Sequence, residues 1–167
     1  LSIKDAVTQP STPARHVTEM LRTLRLEYGA DVDIPGAIVL ATDGGADHNC
    51  NHVSVQMCLI WLWYKTDSDM LDARRSCPSQ SYTNEVERVM SILNLAWQGA
   101  TSCRDPLAGD FAENMVQGKS TTQVRTKVKD NPGLKQKWRD AHKSTIDDLM
   151  ALALRCDLKG VGFREVE

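Results

Sequence analysis

Two acidic residues, Asp43 and Glu87, stand where a carboxylate could take part in chemistry. Asp43 comes soon after residues 37–41, five consecutive apolar residues that predict a strand buried on both faces. The two glycines that follow Asp43 let the chain turn sharply away from this strand. Because open α/β sheets bind their ligands at the carboxyl ends of the strands, Asp43 is a candidate metal ligand.

Glu87 lies near the start of an amphipathic segment and has a structural alternative. Asn84 and Glu87 stand three residues apart, as in a capping box, in which the glutamate returns a hydrogen bond to the start of the helix. From this spacing alone, the capping role is favoured. Glu87, Ser91 and Asn94 also follow one another at helical spacing and form a polar stripe.

A second candidate metal pattern is the His-x-Cys-x-His sequence formed by His48, Cys50 and His52. Zinc sites usually have wider ligand spacings, and the Asp and Asn residues of this segment are typical of turns and helix caps. We therefore favour a loop with turn and cap roles over a metal site here.

The helices and strands that must position the two acids are predicted from the spacing of apolar residues and from the Pro and Gly residues at their ends. We predict helices at 14–28, 53–65 and 85–98, and strands at 37–42 and 70–76. The helix at 53–65 is apolar on most sides, which places Trp61 and Trp63 in the core by default, with an interface role as the alternative. If the two strands pair in parallel, that helix is the crossover of a right-handed βαβ unit.

Beyond residue 98 the pattern is helical. We predict a helix from 105 to 117 and a second one that begins at a capping box formed by Ser120 and Gln123 and ends before Asn131. A third predicted helix covers 134 to 157, with an interruption near Ser144. Between residues 119 and 143 the chain carries eight Lys or Arg residues, namely 119, 125, 127, 129, 135, 137, 139 and 143, against two Asp residues. Such a stretch could contact a phosphate backbone, although a solvated helix face is the commoner explanation.

Composition sets the broad class. The chain has 167 residues, 41% hydrophobic and 25% charged, with a formal net charge of −2, as in ordinary globular proteins. The longest apolar segment is far short of the roughly 20 residues that span a bilayer, and no signal peptide opens the chain. Five widely spaced cysteines with no CxxC pair suggest neither a disulfide framework nor a zinc site. We expect an intracellular protein, nuclear or cytoplasmic, without a membrane partner.

Residues 15–98 resemble the catalytic core of retroviral-type integrases and DDE transposases, including uncharacterised transposon-derived animal proteins. The resemblance lies in the strand that ends at DGGADHN, residues 43–49, and in PSQSYTNEVER, residues 78–88. Asp43 matches the family's second catalytic aspartate, and Glu87 matches its glutamate. In this context the metal role of Glu87 is favoured over the capping role.

The resemblance implies a partial ribonuclease-H-like core in residues 1–98, ordered helix-strand-helix-strand-helix, and an all-α extension in residues 99–167. It implies an α/β fragment of a polynucleotidyl transferase for DNA integration, in which Asp43 and Glu87 are catalytic and hold Mg²⁺ or Mn²⁺. The expected DNA contacts are Arg88, Ser91, Asn94, Lys127, Lys129, Lys135, Lys137 and Arg139.

One part of the family pattern has no match in the chain. The family's first catalytic aspartate lies on the first strand of an antiparallel meander, and nothing before residue 15 resembles such a strand. Since two strands are too few for a stable sheet, we expect further strands from outside these residues or from another copy in a homo-oligomer. The alternatives are a non-enzymatic transposon-derived interaction or nucleic-acid-binding protein, and an α/β domain whose acids are structural.

Overall fold

The computed structural model describes residues 1–29, 34–76, 85–103, 105 and 120–164 of a mixed α/β chain. Its elements in chain order are α1 (Pro13–Tyr28), β1 (Ala37–Thr42), α2 (Val53–Thr66), β2 (Met70–Arg75), α3 (Glu85–Ala96), α4 (Thr121–Asp130), α5 (Pro132–Ala153), β3 (Asp157–Leu158) and β4 (Val161–Gly162). They form two compact units. One comprises Ser11–Met90, and the other comprises Leu1–Pro10 with the described residues from Ser91 to Arg164, so that the division falls inside α3.

The start of α1 is fixed by local chemistry. The side chain of Thr12 accepts a hydrogen bond from the backbone N–H of Arg15, and Pro13 occupies the first turn, where its missing N–H has no cost. Gly29 ends the helix with a φ of 89°. The predicted helix is confirmed, and His16 is its fourth residue, at the end of the first turn.

The predicted βαβ unit is confirmed. β1 and β2 pair in parallel, from Ala37 opposite Met70 to Thr42 opposite Arg75, with α2 as the connection. The carboxyl ends of both strands therefore meet at one edge of the sheet, and Asp43 leaves β1 at that edge.

The core of the Ser11–Met90 unit lies on a single face of this sheet. Leu62 of α2 is fully buried and clusters with Val17 and Leu21 of α1, and Leu40 of β1 and Leu71 of β2 pack against them. Alternate residues of a strand point to opposite faces, so the odd-numbered residues of β1 point away from the helices.

Two burial predictions were wrong for that reason. β1 is not buried on both faces, because Val39 is 57% exposed. α2 buries Val55 and Leu62 on one side only, which leaves Trp61 and Trp63 exposed by 41% and 46% rather than in the core. Two strands with both helices on one side provide a single apolar layer, too little to cover every side of such an apolar helix.

The second unit is built on α4 and α5. The capping of α4 by Ser120 is confirmed, because its side chain accepts from the backbone N–H of Gln123. Val128 packs with Leu134 and Trp138 of α5, and the Trp138 indole N–H donates to the Asp5 carboxylate at 3.0 Å. This hydrogen bond satisfies the polar atom of a buried aromatic side chain.

Two predictions for the extension were wrong. α5 runs through Ser144 without interruption, and the Ser144 hydroxyl donates to Asp105 instead of competing for its own helix backbone. The extension is not all-α, because β3 and β4 pair in an antiparallel hairpin. Its turn holds Lys159 and Gly160 at φ values of 55° and 80°, the left-handed pair that a two-residue hairpin loop requires. The predicted helix at 105–117, apart from Asp105, and the cap at Asn84 lie outside the described residues.

Candidate metal centre at the end of the first strand

The structure places Asp43 immediately after β1, with its side chain 64% exposed. One carboxylate oxygen, Oδ1, accepts a hydrogen bond of 3.0 Å from the backbone N–H of Gly45. Asp43 therefore stands at the ligand-binding edge of a parallel pair with a charged group that water and ions can reach.

Gly44 makes this turn possible. Its φ of 77° lies in the left-handed region, and a Cβ atom at this position would come within 2.3–2.7 Å of the Arg75 side chain. The positive φ favours glycine here, whereas the Arg75 side chain is flexible enough to move away from a larger residue. The sequence Asp-Gly-Gly is thus explained by the backbone path as well as by the acid.

A cluster of three possible metal ligands lies beside Asp43 and comprises His16, Asp47 and His48. One ligand atom from each residue lies within 4.8 Å of the other two, and all three side chains are partly buried. His16 Nε2 is 2.9 Å from Asp47 Oδ2, and His48 Nδ1 is 3.6 Å from Asp47 Oδ1. His48 Nδ1 is also 3.9 Å from Asp43 Oδ1, which joins the cluster to the strand end.

Asp47 is held in its charged form. The Ser11 hydroxyl donates to Asp47 Oδ2, and this bond is the main cause that lowers the pKa of Asp47 to about 2. Burial opposes the shift, whereas hydrogen bonding to His16 and the nearby His48 ring add to it. The carboxylate is therefore a negative ligand at any pH near neutrality.

The two imidazoles are arranged around a small space. The rings of His16 and His48 have centroids 4.3 Å apart and an interplanar angle of 52°. A cavity of about 30 Å³ is lined by His16, Asp47 and His48, by Thr42 and Cys50, and by apolar residues of α1, β1, α2 and β2. A cavity needs roughly 10–15 Å³ to hold a water molecule, so this one is too small for an organic substrate, and its lining is mostly apolar apart from the cluster.

The donor atoms decide which ions fit. Two imidazole nitrogens and a carboxylate match the ligands of zinc and similar ions, whereas Mg²⁺ prefers oxygen ligands. The structure therefore contains a group of residues that could hold a metal ion at the expected edge, although its ligands differ from the predicted pair of acids.

Other residues of the loop have the predicted structural roles. The Asn49 side chain accepts from the backbone N–H of Asn51, as in an Asx turn, and His52 Nδ1 lies 3.1 Å from the Ala46 carbonyl oxygen. Within the described part of the chain, Cys50 and His52 do not join His48 in a ligand cluster. Of the three residues in the His-x-Cys-x-His pattern, His48 belongs to the possible metal cluster, with partners from outside the pattern.

Glu87 and its neighbours lie on α3. Asp43, Glu87 and Arg88 belong to the Ser11–Met90 unit, whereas Ser91 and Asn94 fall in the other. Glu87, Arg88, Ser91 and Asn94 are all exposed, as the predicted polar stripe requires. The convergence of the Asp43 and Glu87 carboxylates on one ion stays a prediction.

The basic residues lie on α4 and α5. Lys129, Lys135, Lys137 and Arg139 are exposed, and Lys127 is half-buried. Arg125 has a structural role, because its guanidinium donates twice to the Ala6 carbonyl oxygen at 2.8 and 3.0 Å. A contact of this surface with DNA stays a prediction.

Comparison of the chain with protein-family models, curated proteins and solved structures finds no match. Within the described residues, no helix combines the length and the apolar character needed to cross a membrane. The site itself must therefore carry any argument about function.

Proposed function

We propose that the chain is a fragment of a DDE-type polynucleotidyl transferase, whose ribonuclease-H-like core would bind divalent metal at the carboxyl end of β1. One observation carries the proposal: Asp43 follows the first strand of a parallel βαβ unit, at the edge where Thr42 and Arg75 are paired. This is the edge at which α/β sheets bind ligands, and the acid there is exposed and ionisable.

In this proposal Asp43 and Glu87 hold Mg²⁺ or Mn²⁺, because carboxylate oxygens suit these hard ions. When bound, such ions activate the attacking hydroxyl and stabilise the leaving oxygen of a phosphodiester. Asp47 is a further acid close to Asp43, since His48 Nδ1 lies 3.6 Å from Asp47 Oδ1 and 3.9 Å from Asp43 Oδ1. Two acids alone would bind Mg²⁺ weakly, because this ion keeps most of its water ligands.

In the same proposal, the exposed polar stripe of α3 contacts the DNA. Arg88 would contact the phosphate backbone, and Ser91 and Asn94 would donate hydrogen bonds to phosphate or sugar oxygens. The experiment that tests the proposed function is metal-dependent cleavage and joining of labelled duplex DNA by a longer chain that supplies a third acid, with Asp43→Asn and Glu87→Gln as the diagnostic variants.

The exposed basic residues of α4 and α5 favour a second candidate, a non-enzymatic nucleic-acid-binding protein. Lysines that lie close together in the sequence can neutralise DNA phosphates and release their counterions, and this binding needs no catalytic group. The two candidates differ in a simple way, because the second requires DNA binding but no metal.

We expect duplex DNA to bind the chain with an affinity that falls steeply as salt is added. Replacing both Lys129 and Lys135 with glutamine should reduce the slope of log affinity against log salt by about 2, since each phosphate contact contributes about 0.9. Lys65→Gln, which removes an exposed charge from α2, is the matched control and should leave the slope unchanged. Fluorescence anisotropy at several salt concentrations measures the slope. Salt-independent binding, or no binding at low salt, would remove this role.

A further inference from the structure

The cluster of His16, Asp47 and His48 has a chemistry that the proposed pair of acids does not explain. Two of its three ligand atoms are imidazole nitrogens, and the third belongs to a carboxylate held in its charged form by Ser11. Mg²⁺ prefers oxygen ligands, so binding of Mg²⁺ does not account for two histidines in the cluster. The cluster calls for a separate explanation.

We propose that His16, Asp47 and His48 form a site for a borderline divalent transition-metal ion of the zinc class. The three ligands would be His16 Nε2, His48 Nδ1 and one oxygen of Asp47. The proposal concerns metal binding alone, and it holds whether or not the chain processes DNA.

The distances fit such an ion. In a tetrahedral site with metal–ligand bonds near 2.0–2.1 Å, the ligand atoms are separated by about 3.3 Å. The separations of Asp47 oxygens from His16 and His48 are 2.9 and 3.6 Å, one on each side of that value, and no pair of ligand atoms exceeds 4.8 Å. His16 faces Asp47 Oδ2 and His48 faces Asp47 Oδ1, so a rotation of the Asp47 carboxylate is needed to bring one oxygen to an ion that both histidines bind.

The backbone that carries the three ligands is held by helix packing and by a hydrogen-bonded turn. His16 lies on α1 next to Val17, which is 6% exposed and packs in the core. The backbone N–H of His48 donates to the Gly45 carbonyl oxygen at 2.9 Å, which closes the turn that carries Asp47 and His48. The Ser11 hydroxyl orients the Asp47 carboxylate, as outer-shell groups do in metal sites.

The adjoining cavity provides a fourth position. Its volume of about 30 Å³ admits a water molecule as the remaining ligand. His16 Nε2 lies 2.9 Å from Asp47 Oδ2, so a bound ion would replace this direct contact between the two ligands. The Asp47 carboxylate would supply a negative charge to the divalent cation, and the two histidines would supply nitrogen ligands.

A purely structural role is the alternative. The hydrogen bond between His16 and Asp47 joins α1 to the loop after β1, and this link could serve folding without any ion. Both roles predict that loss of His16 alters stability. Only the metal role predicts saturable binding of an ion by the folded chain.

The test is titration of the full 167-residue chain with Zn²⁺ against a coloured indicator, and with Co²⁺ by visible absorption. We expect one ion per chain with a tetrahedral Co²⁺ spectrum, and a loss of affinity of at least about 100-fold in His16→Ala and His48→Ala. His52→Ala is the matched control from the same loop and should bind like the unchanged chain, because His52 lies outside the cluster.

Asp47→Asn keeps the shape of the ligand and covers the case in which a histidine variant fails to fold. It should also lose at least about 100-fold in affinity while circular dichroism shows an intact helical spectrum. Failure of the unchanged chain to bind Zn²⁺ or Co²⁺, or binding that survives Asp47→Asn and His48→Ala, would overturn the proposal. Binding that depends on His52 but not on His16 would overturn it as well.

Asp43→Asn separates this proposal from the proposed function. Asp43 is 3.9 Å from His48 but outside the cluster, so we expect the variant to retain Zn²⁺ affinity to within about tenfold. The same variant should abolish any Mg²⁺-dependent cleavage of DNA. Zinc binding by the 167-residue chain, together with a failure of a longer chain that supplies a third acid to cut DNA, would defeat the proposed function and leave the metal site intact.

Discussion

Duplex DNA mixed with Mg²⁺ and residues 1–167 should remain uncut, because the chain offers Asp43 and Glu87 but no convincing first aspartate. A longer chain that supplies a third acid should cut it, and Asp43→Asn or Glu87→Gln should then lower the rate on the order of 1,000-fold. Each change removes a negative ligand but keeps the shape of the side chain, and metal ions contribute several kcal/mol to such reactions. Gel electrophoresis of end-labelled DNA over time measures the rate.

The matched control for these variants is Asp148→Asn. Asp148 is an exposed acid of α5 in the other unit, so its loss should leave cleavage unchanged. Robust Mg²⁺-dependent cleavage by residues 1–167, lost in Asp43→Asn, would mean that another acid completes the site, with Asp47 the nearest candidate. Cleavage that survives both substitutions would refute the two-metal mechanism itself.

Leu62→Ala should lower the free energy of unfolding of the Ser11–Met90 unit by about 3 kcal/mol. Leu62 is fully buried among α1, β1 and β2, and its truncation removes apolar contacts and leaves a cavity. Urea denaturation followed by circular dichroism measures the change.

The control for Leu62→Ala lies on the same helix. Ile60 is 57% exposed, so Ile60→Ala should cost less than about 1 kcal/mol. Equal losses in the two variants would show that α2 packs through a different face, for instance against a partner that covers its exposed side.

The helices and strands of the Ser11–Met90 unit were predictable because their signals are local. Pro13 and Gly29 bracket α1, and the apolar run before Asp43 has the length and composition of a strand. The parallel pairing was also predictable, since a helix of 14 residues between two short strands is long enough for a crossover.

Burial was harder to predict because it depends on how many layers surround an element. The sequence of α2 is apolar on most sides, yet the described structure covers only the side that carries Leu62. A pattern shows which residues would gain from burial. It does not show whether other elements are present that pack over Trp61 and Trp63.

The candidate site was predictable only in part. Asp43 was identifiable from its place after a strand, and Asp47 and His48 stood out as polar residues of the following loop. His16 was not identified, because it lies 31 residues before Asp47 and is brought there by the packing of α1. An isolated histidine in a helix has no local signal for metal binding.

The most direct test of a divalent-metal site at the end of β1 is paramagnetic broadening by Mn²⁺ in the amide spectrum of the chain. After the site formed by His16, Asp47 and His48 is filled with Zn²⁺, we expect small amounts of Mn²⁺ to weaken the signals of Gly44, Gly45, Glu87 and Arg88 first. Those signals should recover in Asp43→Asn. Broadening that centres on exposed acids of α5, or that spares Glu87 and Arg88 while affecting Gly44, would contradict a metal ion shared by Asp43 and Glu87.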